Sequence, residues 1–304
     1  MNKKCQVFTP KDYVKKLLDS VGYVNNLYGK KILENSCGNG NILIEVVQRY
    51  INNSREHNKT NLEIERGLEE DVFGIEIDSE QYVDCLNNLN ELLNKNGLKL
   101  INWNIINEDY LRWNTEKKFD FIIGNPPYIS YAEIKKNELL YLKTNFKSCK
   151  KGKFDYCYAF IEKSINNLSE NGKMSYLIPS SIFKTVFGFN LRELIKPFIK
   201  KIIDYSQKKI FNKALIKSAI IILDKSATMK DEINYIEEHS NRNSYLLKEK
   251  LFNKWFFSEI KVGSYRFGDY FKVSHVVATL LNNVYILKEE DYIETSDFYI
   301  YKNK

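Results

Sequence analysis

Apolar residues in the first two thirds of the chain fall into short continuous runs, separated by stretches in which they recur every three or four positions. Runs near 31–34, 72–77, 101–106, 119–123, 173–178, 201–205 and 217–223 read as strands. The periodic stretches at about 10–20, 40–52, 79–94, 155–168 and 189–197 read as helices, the first with Pro10 in its opening turn behind Thr9 as cap. Strands alternating with helices predict an α/β fold, a mostly parallel seven-stranded sheet covered by helices. The charged stretch from Asn52 to Asp71 reads as a surface insertion. After Asp224 the rhythm gives way to Tyr- and Asn-rich segments, so the pattern predicts one domain over 1–224 and a second, smaller region over 225–304.

The run Phe119–Gly124 leads directly into Asn125-Pro126-Pro127-Tyr128. Two prolines fix φ near −65° and turn the preceding residue away from helix, which leaves a stiff loop whose carbonyls are not consumed by a helical ladder. The Asn125 side-chain oxygen and the Pro126 carbonyl can each accept one hydrogen of a planar NH2 group, and Tyr128 offers a ring face for stacking. Such a clamp favours a localised lone pair on a nitrogen that is otherwise a poor nucleophile. The plain alternative is a proline turn after a buried strand.

A second candidate lies earlier. The strand ending at Glu34 runs into Asn35-Ser36-Cys37-Gly38-Asn39-Gly40 and then a helical segment. Gly38 and Gly40 permit close approach of backbone to a ligand, and the following helix start presents free amides; a simple tight turn is the alternative. The next strand ends in Gly74-Ile75-Glu76-Ile77-Asp78, where an acid can accept hydrogen bonds from both ribose hydroxyls; for Asp78 a surface carboxylate is the simpler reading. Leu43 occupies the third position of a would-be GxGxxG, which disfavours a dinucleotide. Asp109, after the third strand, can take a hydrogen bond from an adenine amine while Ile77 and Tyr110 sandwich the ring; a loop-capping Asp is the alternative.

Charge sharpens this picture. The net charge is +7, but seven lysines between Lys135 and Lys153 face the single acid Glu138, and nine basic residues between Lys184 and Lys217 face only Glu193 and Asp204. Both runs follow the proline loop in the chain, and a polyanion lying across that loop would need positive charge on both sides of it; a solvated lysine-rich face is the alternative. Five cysteines without CxxC pairs and three scattered histidines point to neither zinc nor a disulfide framework. With no apolar stretch long enough to span a bilayer and no signal-peptide core after Met1, the expectation is a cytoplasmic protein that meets no membrane.

In their order these motifs resemble the N6-adenine DNA methyltransferases of restriction-modification systems, in the group with the cofactor motifs first and target recognition last. Gln6–Pro10 is similar to the family's amino-terminal cofactor motif, which brings in Thr9; Glu34–Gly40, with Ser36, to its methionine-binding loop; Glu76 to its ribose acid; Asp109 to its adenine-binding Asp; and Asn125–Tyr128 to its catalytic tetrapeptide. Phe154–Phe160 and Asn171–Pro179 resemble the later helix and strand motifs. Ile210-Phe211 resembles the segment whose aromatic contacts a flipped base, and Phe271–Leu280 the opening of a recognition domain. Asn35 stands where many members carry proline.

The resemblance implies a Rossmann-like class I methyltransferase sheet with a short or truncated recognition region. It implies S-adenosyl-L-methionine as cofactor and double-stranded DNA as partner, with Tyr128 and Phe211 holding the extruded adenine. Two other planar-amine substrates fit the same clamp: a release-factor glutamine, methylated at N5, and an RNA adenine. A reading of another class is an idle or split DNA-binding subunit that needs a separate specificity partner, which the brevity of the tail favours.

Overall fold

The computed structural model describes residues 9–208, 210 and 217–257, together with the backbone of 292–294 and 299–301. Its elements begin with α1 (Lys11–Val21), β1 (Ile32–Glu34), α2 (Asn41–Glu56), α3 (Asn61–Asp71), β2 (Val72–Ile75) and α4 (Ser79–Lys95). There follow β3 (Asn104–Ile106), β4 (Phe119–Gly124), α5 (Lys136–Asn145), α6 (Cys157–Asn167), β5 (Leu168–Pro179) and α7 (Phe189–Ile195). The series continues with β6 (Ile199–Asp204), β7 (Ser218–Asp224), β8 (Glu232–Glu237) and β9 (Arg242–Leu247).

These nine strands form one sheet in the order β3-β2-β1-β4-β5-β7-β6-β8-β9. Strands β3 to β5 run parallel, β7 is antiparallel to both β5 and β6, and β8 is parallel to β6. All seven expected strands are present. The sheet does not stop at residue 224, however: β8 and β9 extend its edge, and the compact unit runs to Ser258. The later unit, Glu259–Lys304, contains an antiparallel strand pair, β10 (Tyr292–Glu294) with β11 (Tyr299–Tyr301).

The strands read as unbroken apolar runs because both sheet faces are covered. Successive side chains alternate between two cores. Leu33, Ile122, Met174, Ile178 and Ile221 pack with α5, α6 and α7, while Ile32, Ile123, Leu177 and Ile220 pack with α1 to α4.

Three local expectations are corrected. Residues 52–71 are not an insertion. Helix α2 continues to Glu56, and α3 begins at a capping box in which Thr60 and Glu63 satisfy each other's backbone N–H groups. Helix α3 buries Ile64 and Leu68, and its Asp71 accepts the Tyr50 hydroxyl at 2.6 Å and the Gly29 N–H at 2.7 Å. Thr9 does not cap α1: Pro10 occupies the cap position, where no side chain bonds the first turn. Helix α5, absent from the periodicity reading, is a weakly amphipathic helix that buries only Leu142.

Candidate active site

Because β1 pairs in parallel with β2 on one side and β4 on the other, the chain leaves its carboxyl end toward opposite halves of the sheet. A crevice opens where these loops part. The loops after β1, β2, β3 and β4 all emerge at this edge and line one pocket: Thr9, Glu34, Ser36, Gly38, Glu76, Ile77, Asp109, Tyr110 and Asn125–Tyr128 are brought together there. The glycine loop and the proline loop, about ninety positions apart in sequence, thus face each other across β1 and β4. Phe8, Phe211 and Phe271–Leu280 lie outside the described residues.

Local bonds explain how the loops hold their shape. Gly38 and Gly40 adopt left-handed conformations, with φ of 52° and 83°, and the Gly40 N–H donates to the Cys37 carbonyl at 2.8 Å. A Cβ on Gly40 would stand 2.8 Å from the Cys85 sulfur, so α4 can approach only a glycine there. Gly74 on β2 supplies the close helix–strand contact that a third loop glycine would otherwise give: its hypothetical Cβ lies 2.9 Å from Leu43 Cδ1. The Glu76 carboxylate accepts the Gly38 N–H at 2.8 Å through Oε2 and the Asp78 N–H at 2.8 Å through Oε1. Each oxygen keeps a lone pair for a further donor.

Asp78 itself caps α4, accepting from Glu80 and Gln81 N–H groups. Asp109 both lines the pocket and caps its own loop, accepting the Leu111 N–H at 2.9 Å and pairing with Arg112. Thr9 is buried, and its carbonyl accepts the Asn41 amide.

On the other side, Tyr128 is half-buried and its hydroxyl donates to the Leu177 carbonyl of β5 at 2.7 Å. That tether fixes the position of the ring's far end. Ser36 Oγ reaches the Asn125 carbonyl at 3.4 Å, joining the two loops. Beneath them, Asn35 donates to Ser164 Oγ at 2.9 Å and to the Tyr176 hydroxyl. The Tyr110 hydroxyl joins the same cluster at Ser164 (3.1 Å) and Asn167 (3.2 Å). Tyr110 is therefore anchored by its polar tip, while its ring borders the pocket beside Phe160.

Several lining residues escaped the sequence reading: Asn41, Gln81, Glu108, Tyr156 and Phe160. Tyr156 and Phe160 stand four apart at the start of α6, a spacing that places both on one helix face; the resemblance of Phe154–Phe160 to a family motif marked the segment without giving either residue a role.

Electrostatics discriminate among ligands. Five carboxylates line the pocket (Glu34, Glu76, Asp78, Glu108, Asp109), and among the described lining residues there is no lysine or arginine. Burial pushes the Glu34 carboxyl well above the usual carboxylate range, helped by the neighbouring Cys85 and Glu76, and burial raises Glu76 as well. Glu34 Oε2 and Gln81 Oε1 are buried acceptors with no partner among the described residues. The pocket suits a cation that brings hydrogen-bond donors, and it opposes a pyrophosphate.

Residues 25–211 match the family model of the Eco57I restriction-modification methylases. The chain belongs to that family. It is 32% identical over 189 residues to the modification methylase CviBIII of Paramecium bursaria Chlorella virus NC1A, covering 62% of this chain and 41% of that protein. It is 25% identical over 284 residues to the type II methyltransferase M.BstVI of Geobacillus stearothermophilus, covering 82% and 50%. The chain thus spans half or less of the length of these relatives.

Among solved structures it superposes, with a TM-score of 0.54 and 20% identity, on a Listeria monocytogenes protein described as a class I S-adenosylmethionine-dependent methyltransferase, over 74% of this chain and 62% of that one. The fold is that of the class I methyltransferases. Family and fold together assign S-adenosylmethionine as the cofactor, and the acidic pocket, with the unpartnered acceptors of Glu34 and Gln81, fits a molecule that carries an ammonium and a sulfonium. Among the described residues no helix is long and apolar enough to cross a membrane.

Proposed function

We propose that the chain methylates N6 of an adenine rotated out of double-stranded DNA, as the modification activity of a restriction-modification system. The observation that carries this reading is the meeting of the acidic, glycine-lined half-pocket with Asn125–Tyr128 in a single crevice. Bound S-adenosylmethionine supplies a methyl group made electrophilic by the sulfonium.

The protein's own residues do the rest. Glu76, already oriented by two backbone N–H groups, takes the ribose hydroxyls; Glu34 and Gln81 face the ammonium end; Ile77, Tyr110 and Asp109 hold the cofactor's adenine. The Asn125 amide oxygen and the Pro126 carbonyl accept the two hydrogens of the target amine, favouring a localised nitrogen lone pair aimed at the methyl, and alignment contributes much of the rate. As the nitrogen–carbon bond forms the sulfur–methyl bond breaks, the leaving group being the neutral thioether S-adenosylhomocysteine, and one of the two accepted hydrogens then passes from the nitrogen to water as the proton.

Tyr128 stacks on the target base and recovers part of the unstacking cost, a few kcal/mol. Phe211 is proposed to close the other side of the base. Readout of a particular DNA sequence is proposed to come from residues outside the described unit or from a separate specificity subunit, because the match covers only 41% and 50% of the two relatives.

The test is to incubate the purified chain with DNA from a methylation-free host and methyl-labelled cofactor, then digest to nucleosides and identify the product by mass spectrometry. N6-methyladenine is expected. Label found only on cytosine, on RNA, or on a release-factor glutamine would overturn the proposal.

A further inference from the structure

Beside the pocket, at the same sheet edge, stands a ledge of exposed apolar side chains edged with lysines. After β5 the chain makes two short 3-10 turns, Ser180–Phe183 and Val186–Gly188, before α7. Val186 is 67% exposed, Phe187 43% and Phe189 41%, and Phe256 at 43% lies under the Lys184 ammonium, 5.9 Å from its ring centroid.

The ledge is built rigidly. Arg192, fully buried, donates to the carbonyls of Ile182, Thr185 (2.9 Å) and Asn253, pinning both segments. Phe187 rests on Gly152, where any Cβ would overlap its ring and where φ is +81°. That contact brings the exposed Lys150, Lys151 and Lys153 alongside. No acidic residue occurs from Lys143 to Lys153 or from Ser180 to Arg192.

The ledge is also coupled to the pocket. The Tyr156 N–H donates to the Ile129 carbonyl just after the proline loop, and Tyr158, two residues on, meets the Thr185 side chain. The carboxylates therefore sit inside the crevice and the lysines outside it, an arrangement that admits a cation and places a polyanion across the mouth.

We propose that this ledge is a DNA-contact surface: Lys150, Lys151 and Lys184 meet phosphates, while Val186, Phe187 and Phe189 lie against sugars and base faces next to the opened target. The inference rests on the proposed DNA substrate and adds where, and by what two kinds of force, the duplex is held. Lysine–phosphate contacts release counterions and make binding salt-dependent, whereas apolar contacts do not. The two halves of the ledge therefore leave separable signatures.

The test measures binding of fluorescein-labelled mixed-sequence duplex DNA to the full chain, saturated with S-adenosylhomocysteine, across a series of KCl concentrations. The triple variant Lys150→Gln, Lys151→Gln, Lys184→Gln is expected to flatten the log–log salt slope by about 0.9 for each lysine that meets a phosphate. The double variant Val186→Ser, Phe187→Ser is expected to bind roughly tenfold more weakly at every salt concentration with an unchanged slope, the scale of one lost aromatic–base contact.

Because Phe187 packs on Gly152, Val186→Ser alone serves as the gentler variant, and S-adenosylhomocysteine affinity in calorimetry reports that each protein is folded. Wild-type affinity and slope in all variants would overturn the ledge while leaving the DNA substrate standing. A wild-type chain that binds no DNA would overturn both. Altered self-association in the Ser variants with unchanged DNA affinity would give the ledge to a second copy of the chain and overturn the proposal.

Discussion

The backbone N–H of Gly38 donates to Glu76 Oε2 at 2.8 Å, so the loop after β1 and the end of β2 are locked together before any ligand arrives. Glu76 thus holds the loop, and in the proposed site it also offers acceptors to a ribose. Replacing it with Gln keeps the size but exchanges one acceptor for a donor that opposes a backbone N–H. Glu76→Gln is expected to weaken cofactor binding by about 1–3 kcal/mol, the cost of unsatisfied buried hydrogen-bonding groups. Isothermal calorimetry with S-adenosylmethionine checks this, and unchanged affinity in a folded variant would remove Glu76 from the cofactor site.

Glu34 gives the pocket a pH dependence. Burial raises its carboxyl above the value it has in the unfolded chain, so the folded apoprotein holds this proton more tightly than the unfolded one does. The contribution to stability is fully present below the usual carboxylate range and is lost as pH rises from there through the folded value. A cationic ligand favours the ionised form, so binding should release a proton and strengthen as pH rises through the same window. Calorimetry in buffers of different ionisation enthalpy is expected to show proton release in the wild type and none in Glu34→Gln, whose apoprotein should be more stable than wild type at neutral pH.

The parts of this molecule that were legible in its sequence are those whose signal is local. Ile220, Ile221 and Ile222 announce a strand because both faces of β7 are buried, and the glycine and proline loops carry their chemistry within a few consecutive residues. Helix α3 was hidden because Ile64 and Leu68 are nearly its only core side chains and Gly67 reads as a breaker. In the structure Gly67 is where the Tyr50 hydroxyl passes, within 2.2 Å of any Cβ placed there. Strand β9 was hidden by its mostly polar, exposed sequence at the sheet edge. Its continuation relies on Lys248, a buried lysine that donates to the carbonyls of Pro197 and Thr228, a role composition cannot announce. Gln81 and Tyr156 joined the pocket only through the packing of α4 and α6 against loops far away in sequence.

The tether of Tyr128 separates two contributions to activity. Tyr128→Phe keeps the ring and its stacking face but leaves the Leu177 carbonyl without this donor. A net loss of about 0.5–1.5 kcal/mol is expected, seen as a severalfold lower kcat/KM. Tyr128→Ala removes the stacking surface as well and should lose roughly a further 1–3 kcal/mol of base binding. Steady-state methylation by both variants distinguishes the two; equal defects would mean that the hydroxyl, not the ring, is what matters.

Gly40 should tolerate no side chain. Alanine there must adopt a φ of 83° and bring its Cβ to 2.8 Å from the Cys85 sulfur. A left-handed conformation costs an L-residue about 1–2 kcal/mol before any displacement of α4. Gly40→Ala is expected to lower the melting temperature and to weaken cofactor binding more than Gly97→Ala, which also has a positive φ of 68° but meets nothing within 4 Å. Thermal melts of the two variants with and without S-adenosylhomocysteine provide the comparison; equal ligand-induced stabilisation in both would show that the glycine loop does not hold the cofactor.

Asn125 is expected to matter for the chemical step far more than for binding. It follows the last residue of β4, and its backbone carbonyl is joined to Ser36, so the sheet and the glycine loop both help to set the loop position. Removing the amide takes away an acceptor whose interaction with the amine strengthens as the nitrogen rehybridises. By analogy with the loss of one preplaced dipole at a developing charge, Asn125→Ala should reduce the single-turnover methylation rate about a hundredfold or more. Affinity for S-adenosylmethionine should change little, because the pocket's acidic half is untouched. Rapid-quench measurement under saturating cofactor reads the step directly. A rate within a few-fold of wild type would mean that the amine is not held by this side chain, and the proposed clamp would fail at its first residue.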